Sequence, residues 1–208
     1  MLEQQANENL IKLGVSKMLE FANTQNLITL NIKILDYSQE YDPKDHSDYE
    51  DWLDLELELI QEEKQFRSTF PCLEVWHLVS LYKWFKALSE EKIPNSTIIY
   101  FLETNLAFEV SGLSEDMVTI HVLLDAEWKP DIKIEQLGPE YYNEDCKNIA
   151  AYKEQQKEFN KGIGFSDDEF PLEDSSSSIM FLLSKSDFNR ILKGLDSAIK
   201  KYPSRKTT

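Results

Sequence analysis

Leu53-Asp54-Leu55-Glu56-Leu57-Glu58-Leu59 alternates leucine with carboxylate without a fault. Successive side chains of an extended chain point to opposite faces, so this period of two predicts a strand with one face wholly leucine and the other wholly acidic. At a rise of about 3.3 Å per residue, Asp54, Glu56 and Glu58 stand roughly 6 to 7 Å apart in succession. Three like charges in a row oppose folding unless solvent screens them or cationic neighbours answer them. An exposed sheet face is the simplest reading of that row.

Upstream, Leu27 to Tyr37 sets Leu30, Ile32 and Ile34 against Asn31 and Lys33, which predicts a second strand of the same kind. A polar, acidic loop from Ser38 to Asp51 joins the two. The first twenty residues carry only a ragged apolar stripe and predict a short helix or a loosely held extension, with 1–17 outside a single domain spanning 18–208. Downstream, Gln61 to Gln65 turns the chain, Phe66 to Phe70 returns as the second strand of a hairpin, and Pro71 is expected to end it. Leu73 to Leu88 then places Val75, Leu78, Val79, Leu81, Tyr82, Phe85 and Leu88 at helical spacing. The apolar arc exceeds half the circumference and Trp76 and Trp84 lie off its centre, so the helix is expected to be covered on more than one side. Ile93-Pro94-Asn95 breaks it.

Strands follow at Thr97 to Leu102, Asn105 to Val110 and Met117 to Trp128, with a turn from Ser111 to Asp116, in connections too short for a parallel crossover. Residues 129–178 differ in character: Gly138-Pro139, a polar segment from Glu144 to Lys161 read as a helix, and an acidic, serine-rich run from Ser166 to Ser178. We read them as an insertion. Ile179 to Leu183 is a strand, Ser184 and Asp187 stand at capping-box spacing, and the final helix is amphipathic, with Phe188, Ile191, Leu192, Leu195 and Ile199 on its apolar stripe and Pro203 as its stop. The whole predicts an α+β fold: an antiparallel β-sheet packed by two main helices, with a partly helical acidic insertion.

The 208 residues hold 38 Asp and Glu against 22 Lys and Arg, a net charge of −16. So acidic a chain is poorly suited to bind nucleic acid or an anionic membrane directly. Its 41% hydrophobic and 12% aromatic content is that of a folded protein. No apolar stretch resembles a signal peptide or a membrane span, and Cys72 and Cys146 make neither a disulfide framework nor a zinc site, so a reduced, cytoplasmic protein is expected. His46, His77 and His121 have no second histidine or cysteine at ligand spacing, and no phosphate loop, dinucleotide fingerprint or nucleophile elbow occurs. No catalytic residue, metal or cofactor is therefore assigned. The carboxylates Asp42, Asp45, Asp48, Glu50 and Asp51 are dense enough to bind calcium weakly, but without the alternate oxygens and central glycine of an EF-hand they read as a solvated loop.

The charge is segregated. From Asp36 to Glu63, twelve acidic residues face Lys44 alone, a net of −11, whereas Lys185 to Lys206 carries a net of +5. Such a patch attracts a cationic protein or simply keeps the chain soluble.

Several motifs resemble one family. The loop running into Asp51-Trp52-Leu53, then Pro71-Cys72-Leu73 opening a tryptophan-containing helix, then Glu103-Thr104-Asn105-Leu106-Ala107-Phe108-Glu109, and a closing Lys201-Tyr202-Pro203-Ser204-Arg205 are similar to the WapI-type immunity proteins of bacteria, in the same order, from Met18 to Arg205. The extension before Met18 and the length of 129–178 depart from the family's usual pattern. The resemblance implies a protein made beside a polymorphic toxin that binds its C-terminal toxic domain, which in the namesake system cleaves transfer RNA. It implies no catalytic residues. The expected partner is thus a basic toxin domain, probed by Asp42, Asp45, Asp48, Glu50 and Asp51 with Asp54, Glu56 and Glu58 as the neighbouring face, and the protein is expected to act as a monomer. An acidic secretion chaperone for an effector is the alternative, and would dimerise around an unfolded segment.

Overall fold

Leu53, Leu55, Leu57 and Leu59 are fully buried, and the strand that holds them is the frame of the first of two sheets. The computed structural model describes residues 17–23, 27–38, 51–101, 106–114, 116–125, 128–132, 134, 147–148 and 177–205. The first sheet is formed by β1 (Lys17–Asn23), β2 (Ile28–Tyr37), β3 (Trp52–Gln61) and β4 (Lys64–Glu74), antiparallel and in sequence order. Its inner face is built by register: Leu30 opposes Leu59, Ile32 opposes Leu57 and Ile34 opposes Leu55, with Phe21 of β1 opposite Leu30. One-residue slippage would send every one of these side chains to the polar face, so burial fixes the pairing.

The chain enters α1 (Val75–Ser89) directly from β4 and then builds a second sheet from β5 (Ile98–Tyr100), β6 (Leu106–Leu113), β7 (Met117–Leu124), β8 (Lys147–Asn148) and β9 (Ser177–Ser184). Its order is β5-β6-β7-β9, with β8 also on β6. The last element is α2 (Lys185–Lys201). The fold is α+β, with two helices among the described residues. The single sheet expected from the sequence is two, because α1 carries the chain away from β4 and β5 pairs with β6 instead.

Several local readings change; among them, Ser111 to Leu113 continue β6 where a turn is expected, and the strand expected to reach Trp128 ends at Leu124. Met18 and Leu19, placed in a ragged helical stripe, lie in β1, where pairing with β2 decides the conformation. Pro71 does not end β4, which runs on to Glu74; β4 is an edge strand, and Pro71 sits opposite Asp54 where the register shifts, a place where a missing N–H breaks no regular ladder. Lys147–Asn148, inside the segment read as a helix, pairs with Gly112 and Leu113 as β8. The rest of the helix expected at 144–161, and the acidic run before Ser177, lie outside the described residues, as does the extension up to residue 16.

One core joins the sheets and helices. Phe21 is its hub, with ring centroids 5.4 Å from Phe181 of β9, 5.7 Å from Phe108 of β6 and 6.1 Å from Phe85 of α1. The helices pack on each other, Phe85 meeting Phe188 at 6.3 Å. α2 starts where Ser184 and Asp187 predict: the Ser184 N–H donates to Asp187 Oδ2 at 2.8 Å, closing a reciprocal capping box. α1 stops before Pro94, in a Schellman motif: Glu91 N–H donates to Leu88 O and Lys92 N–H to Ala87 O, each at 3.0 Å. Glu91 occupies the left-handed position with φ 59°.

Candidate functional site: an acidic sheet end beside an ion ladder

The row Asp54, Glu56 and Glu58 is not one uniform face, because the neighbouring strands answer only part of it. On β2, Lys33 stands opposite Glu56 and Asn31 opposite Glu58, while on β4 Arg67 stands opposite Glu58. Lys33 Nζ lies 2.7 Å from Glu56 Oε1 and 3.9 Å from Glu58 Oε2. Arg67 spans the same two carboxylates at 3.6 Å and 2.5 Å. Asn31 Nδ2 and Gln65 Nε2 donate to Glu58 at 3.2 Å and 2.9 Å. Two cations therefore neutralise two carboxylates inside the sheet. Burial alone would raise the Glu58 pKa, but the Arg67 hydrogen bond, the Lys33 charge and the Asn31 amide together hold it below the usual carboxylate value.

Asp54 is different. It stands opposite Asp36 of β2, at the bulge where Leu35 shifts the register. Asp36 Oδ1 accepts the Tyr37 N–H at 2.9 Å, and neither aspartate forms an ion pair among the described residues. Two aspartates with no ion-pair partner among the described residues thus stand opposite each other in the register at the end of the sheet from which the acidic loop leaves.

Both ends of that loop are anchored there. Ser38 N–H donates to Trp52 O at 2.8 Å, and Asp51 O accepts the Val75 N–H at 3.0 Å, tying the loop's exit to the start of α1. The Asp51 carboxylate is buried and points inward, accepting from Ser204 Oγ at 2.6 Å and from the Arg205 backbone N–H at 2.7 Å. The Arg205 guanidinium lies 3.3 Å from the centroid of the Tyr37 ring, and Tyr37 donates its hydroxyl to Pro203 O at 2.5 Å. The segment after α2 is thereby clasped onto the loop end of β2 and β3.

The sequence-derived residues are therefore distributed among different duties. Asp42, Asp45, Asp48 and Glu50 lie outside the described residues. Asp51 is engaged by the C-terminal clasp, Glu56 and Glu58 by the ion ladder, and Asp54 joins Asp36, one of the twelve acidic residues between Asp36 and Glu63. Lys33 and Arg67 were visible as polar residues of alternating strands, but only the register shows which carboxylates they meet. Of the histidines, His77 accepts the Glu74 N–H at Nδ1 and is buried, His121 Nδ1 lies 3.0 Å from Ser178 Oγ, and His46 lies outside the described residues. Among the described residues no group of three or more His, Cys, Asp or Glu side chains could hold a metal ion, and no helix is long and apolar enough to cross a membrane.

Comparison with known proteins gives one match. The sequence model described as "Immunity protein WapI-like family" matches residues 20–203. No curated protein and no solved structure matches the chain.

Proposed function

The chain belongs to the WapI-like immunity protein family, and we propose that it neutralises the C-terminal toxic domain of a cognate polymorphic toxin by forming a stoichiometric complex, without catalysis, as a monomer in the cytoplasm. The observation that carries the mode of binding is the Asp36–Asp54 pair, without an ion-pair partner among the described residues, beside the two anchored ends of the acidic loop. Asp42, Asp45, Asp48 and Glu50 belong to that loop by sequence, Asp51 holds its exit, and Asp54 extends the negative surface onto the sheet, with Glu56 and Glu58 as its neutralised continuation. A nuclease domain must be basic to hold its phosphate-bearing substrate, so an acidic inhibitor complements the surface that substrate would occupy.

The test is titration of the chain against the C-terminal domain of the toxin encoded beside it, in a catalytically inactive form, with growth rescue on co-expression of the active form. A one-to-one complex whose association slows with salt, together with rescue, is the expected result. Failure to form the complex and failure to rescue would overturn the reading.

A further inference from the structure

We infer that the apolar centre of the toxin interface is the outer face of the first half of α1, with Trp76 and Val79 as its anchors; this rests on the immunity reading above. Trp76 is 52% exposed and Val79 38% exposed. They are three residues apart, so they share one face of the helix. The indole is held in place: its Nε1 donates to Glu74 Oε2 and its ring lies 3.8 Å from that of His77, centroid to centroid. A fixed aromatic offers contact area with little side-chain entropy left to lose on binding.

The same face continues to Lys83, which is exposed and forms no ion pair among the described residues. Lys83 stands about 10 Å along the helix from Trp76, at the 1.5 Å rise per residue. It also lines the mouth of a cleft of about 390 Å³ whose apolar walls include Trp84, Ala87, Ile93 and Ile99. Trp84 donates to Ser96 O at 2.9 Å and fixes one of those walls.

What covers this face follows from its surroundings. The Val75 N–H bonds to Asp51 O, so Trp76 is the residue after the point where the acidic loop meets α1. Beside the residue that ends the acidic stretch of the sequence, an apolar ridge and a lysine with no ion-pair partner among the described residues therefore follow one another along one face of α1. The complementary surface is a folded protein domain with basic residues beside an apolar pocket and a carboxylate beyond it. A second copy of this chain is opposed by its net charge of −16. Charge at the acidic end governs the association rate, whereas buried aromatic and aliphatic anchors govern dissociation.

Binding kinetics against the inactive C-terminal domain of the adjacent toxin, at low and high salt, test this. Trp76→Ala and Val79→Arg are each expected to raise the dissociation rate by about 30-fold or more, the size of a hot-spot loss, with the association rate and its salt dependence changed less than about twofold by Trp76→Ala. Lys83→Glu weakens binding more modestly. Joint neutralisation of Asp42, Asp45, Asp48 and Glu50 does the reverse, slowing association and flattening its salt dependence. If Trp76→Ala and Val79→Arg, with unchanged unfolding midpoints, bind as the parent does while the loop variant binds less, the helix face is overturned and the immunity reading stands. Should Trp76→Ala unfold, Val79→Arg decides alone. If the parent chain does not bind the domain, both readings fall.

Discussion

His77 Nδ1 accepts a 2.9 Å hydrogen bond from the backbone N–H of Glu74, the residue that caps α1. An imidazole nitrogen that accepts must be unprotonated, so the start of the helix depends on a neutral histidine. Burial pushes the His77 pKa down to about 4, against the opposing pull of the Glu74 carboxylate. The histidine closes the same reciprocal box that Asp187 closes for α2, with an imidazole nitrogen in place of a carboxylate oxygen.

The pH dependence follows. Well above pH 6.5 the imidazole is neutral folded or unfolded and has no linkage effect. As pH falls from 6.5 toward about 4, the unfolded chain takes up a proton that the folded chain refuses, so stability is lost over that window. The slope from this one group is about 1.4 kcal/mol per pH unit at most. Urea unfolding at pH 7 and pH 5 should show the parent losing on the order of 2 kcal/mol more than His77→Gln. Equal losses in the two proteins would mean that His77 does not carry the effect. Glu58 and Asp187, whose pKa values are held low, add losses only at still lower pH.

The ion ladder gives an asymmetric prediction. The Lys33 side chain is 8% exposed and that of Arg67 52%, yet both contact Glu56 and Glu58. Removing Lys33 leaves two largely buried carboxylates with Arg67 as their one cation among the described residues, a loss toward the lower end of the about 3 to 5 kcal/mol of a broken buried pair. Removing Arg67 lets water reach the edge strand and costs about 1 kcal/mol. Denaturant titration of Lys33→Ala and Arg67→Ala should reproduce this order, and replacement of Lys33 with methionine should recover little, since the missing element is charge. The reverse order would place the ladder's stabilisation at the edge.

These two sites also show what the sequence could and could not convey. Leucine alternation in β3 and the 3.6-residue stripe of α2 are local records of which side meets the core, and both are legible residue by residue. Ion pairing across strands depends on register. Arg67 opposes Glu58 only because Glu62 and Glu63 form the two-residue turn; with the turn spread over Gln61 to Gln65, the face of Arg67 is undetermined, since one residue of slip reverses it. Lys33 and Glu56 are 23 residues apart and meet through the pairing of β2 with β3. The apolar arc of α1 was legible, but how much of it neighbouring elements cover was not. Ile93 to Ile99 cover the Trp84 side and leave Trp76 and Val79 exposed.

The end of α1 offers a stabilising substitution. Glu91 holds φ 59° in the Schellman position, where a side chain bearing Cβ is strained and glycine is not. Its pairing with Lys185 at 3.2 Å is between exposed groups and contributes little. Glu91→Gly relieves the strain but gives the unfolded chain more freedom, leaving a net gain of about 0.5 kcal/mol. A small upward shift of the thermal midpoint is the expected reading. A loss of stability would show that the exposed ion pair outweighs the backbone strain.

Asp36 and Asp54 pose the opposite case, a pair whose repulsion the fold tolerates. Like charges directly opposite on adjacent strands are destabilising, by about 0.2 to 1 kcal/mol. No cation among the described residues offsets them, although Lys33 and Arg67 offset the next two carboxylates on the same strand. Asp54→Asn should therefore stabilise the chain by a few tenths of a kcal/mol at low salt, and the gain should shrink as salt screens the repulsion. Asp36→Asn should behave likewise, because an amide oxygen can still accept the Tyr37 N–H. The same substitutions remove negative potential from the sheet end beside the acidic loop, so association with a basic toxin domain should slow several-fold at low salt while dissociation changes little. Gain in stability with loss of association rate is the signature of a surface kept for binding. If the asparagine variants are less stable at low salt, the pair serves the fold, and the acidic end loses its claim to the partner.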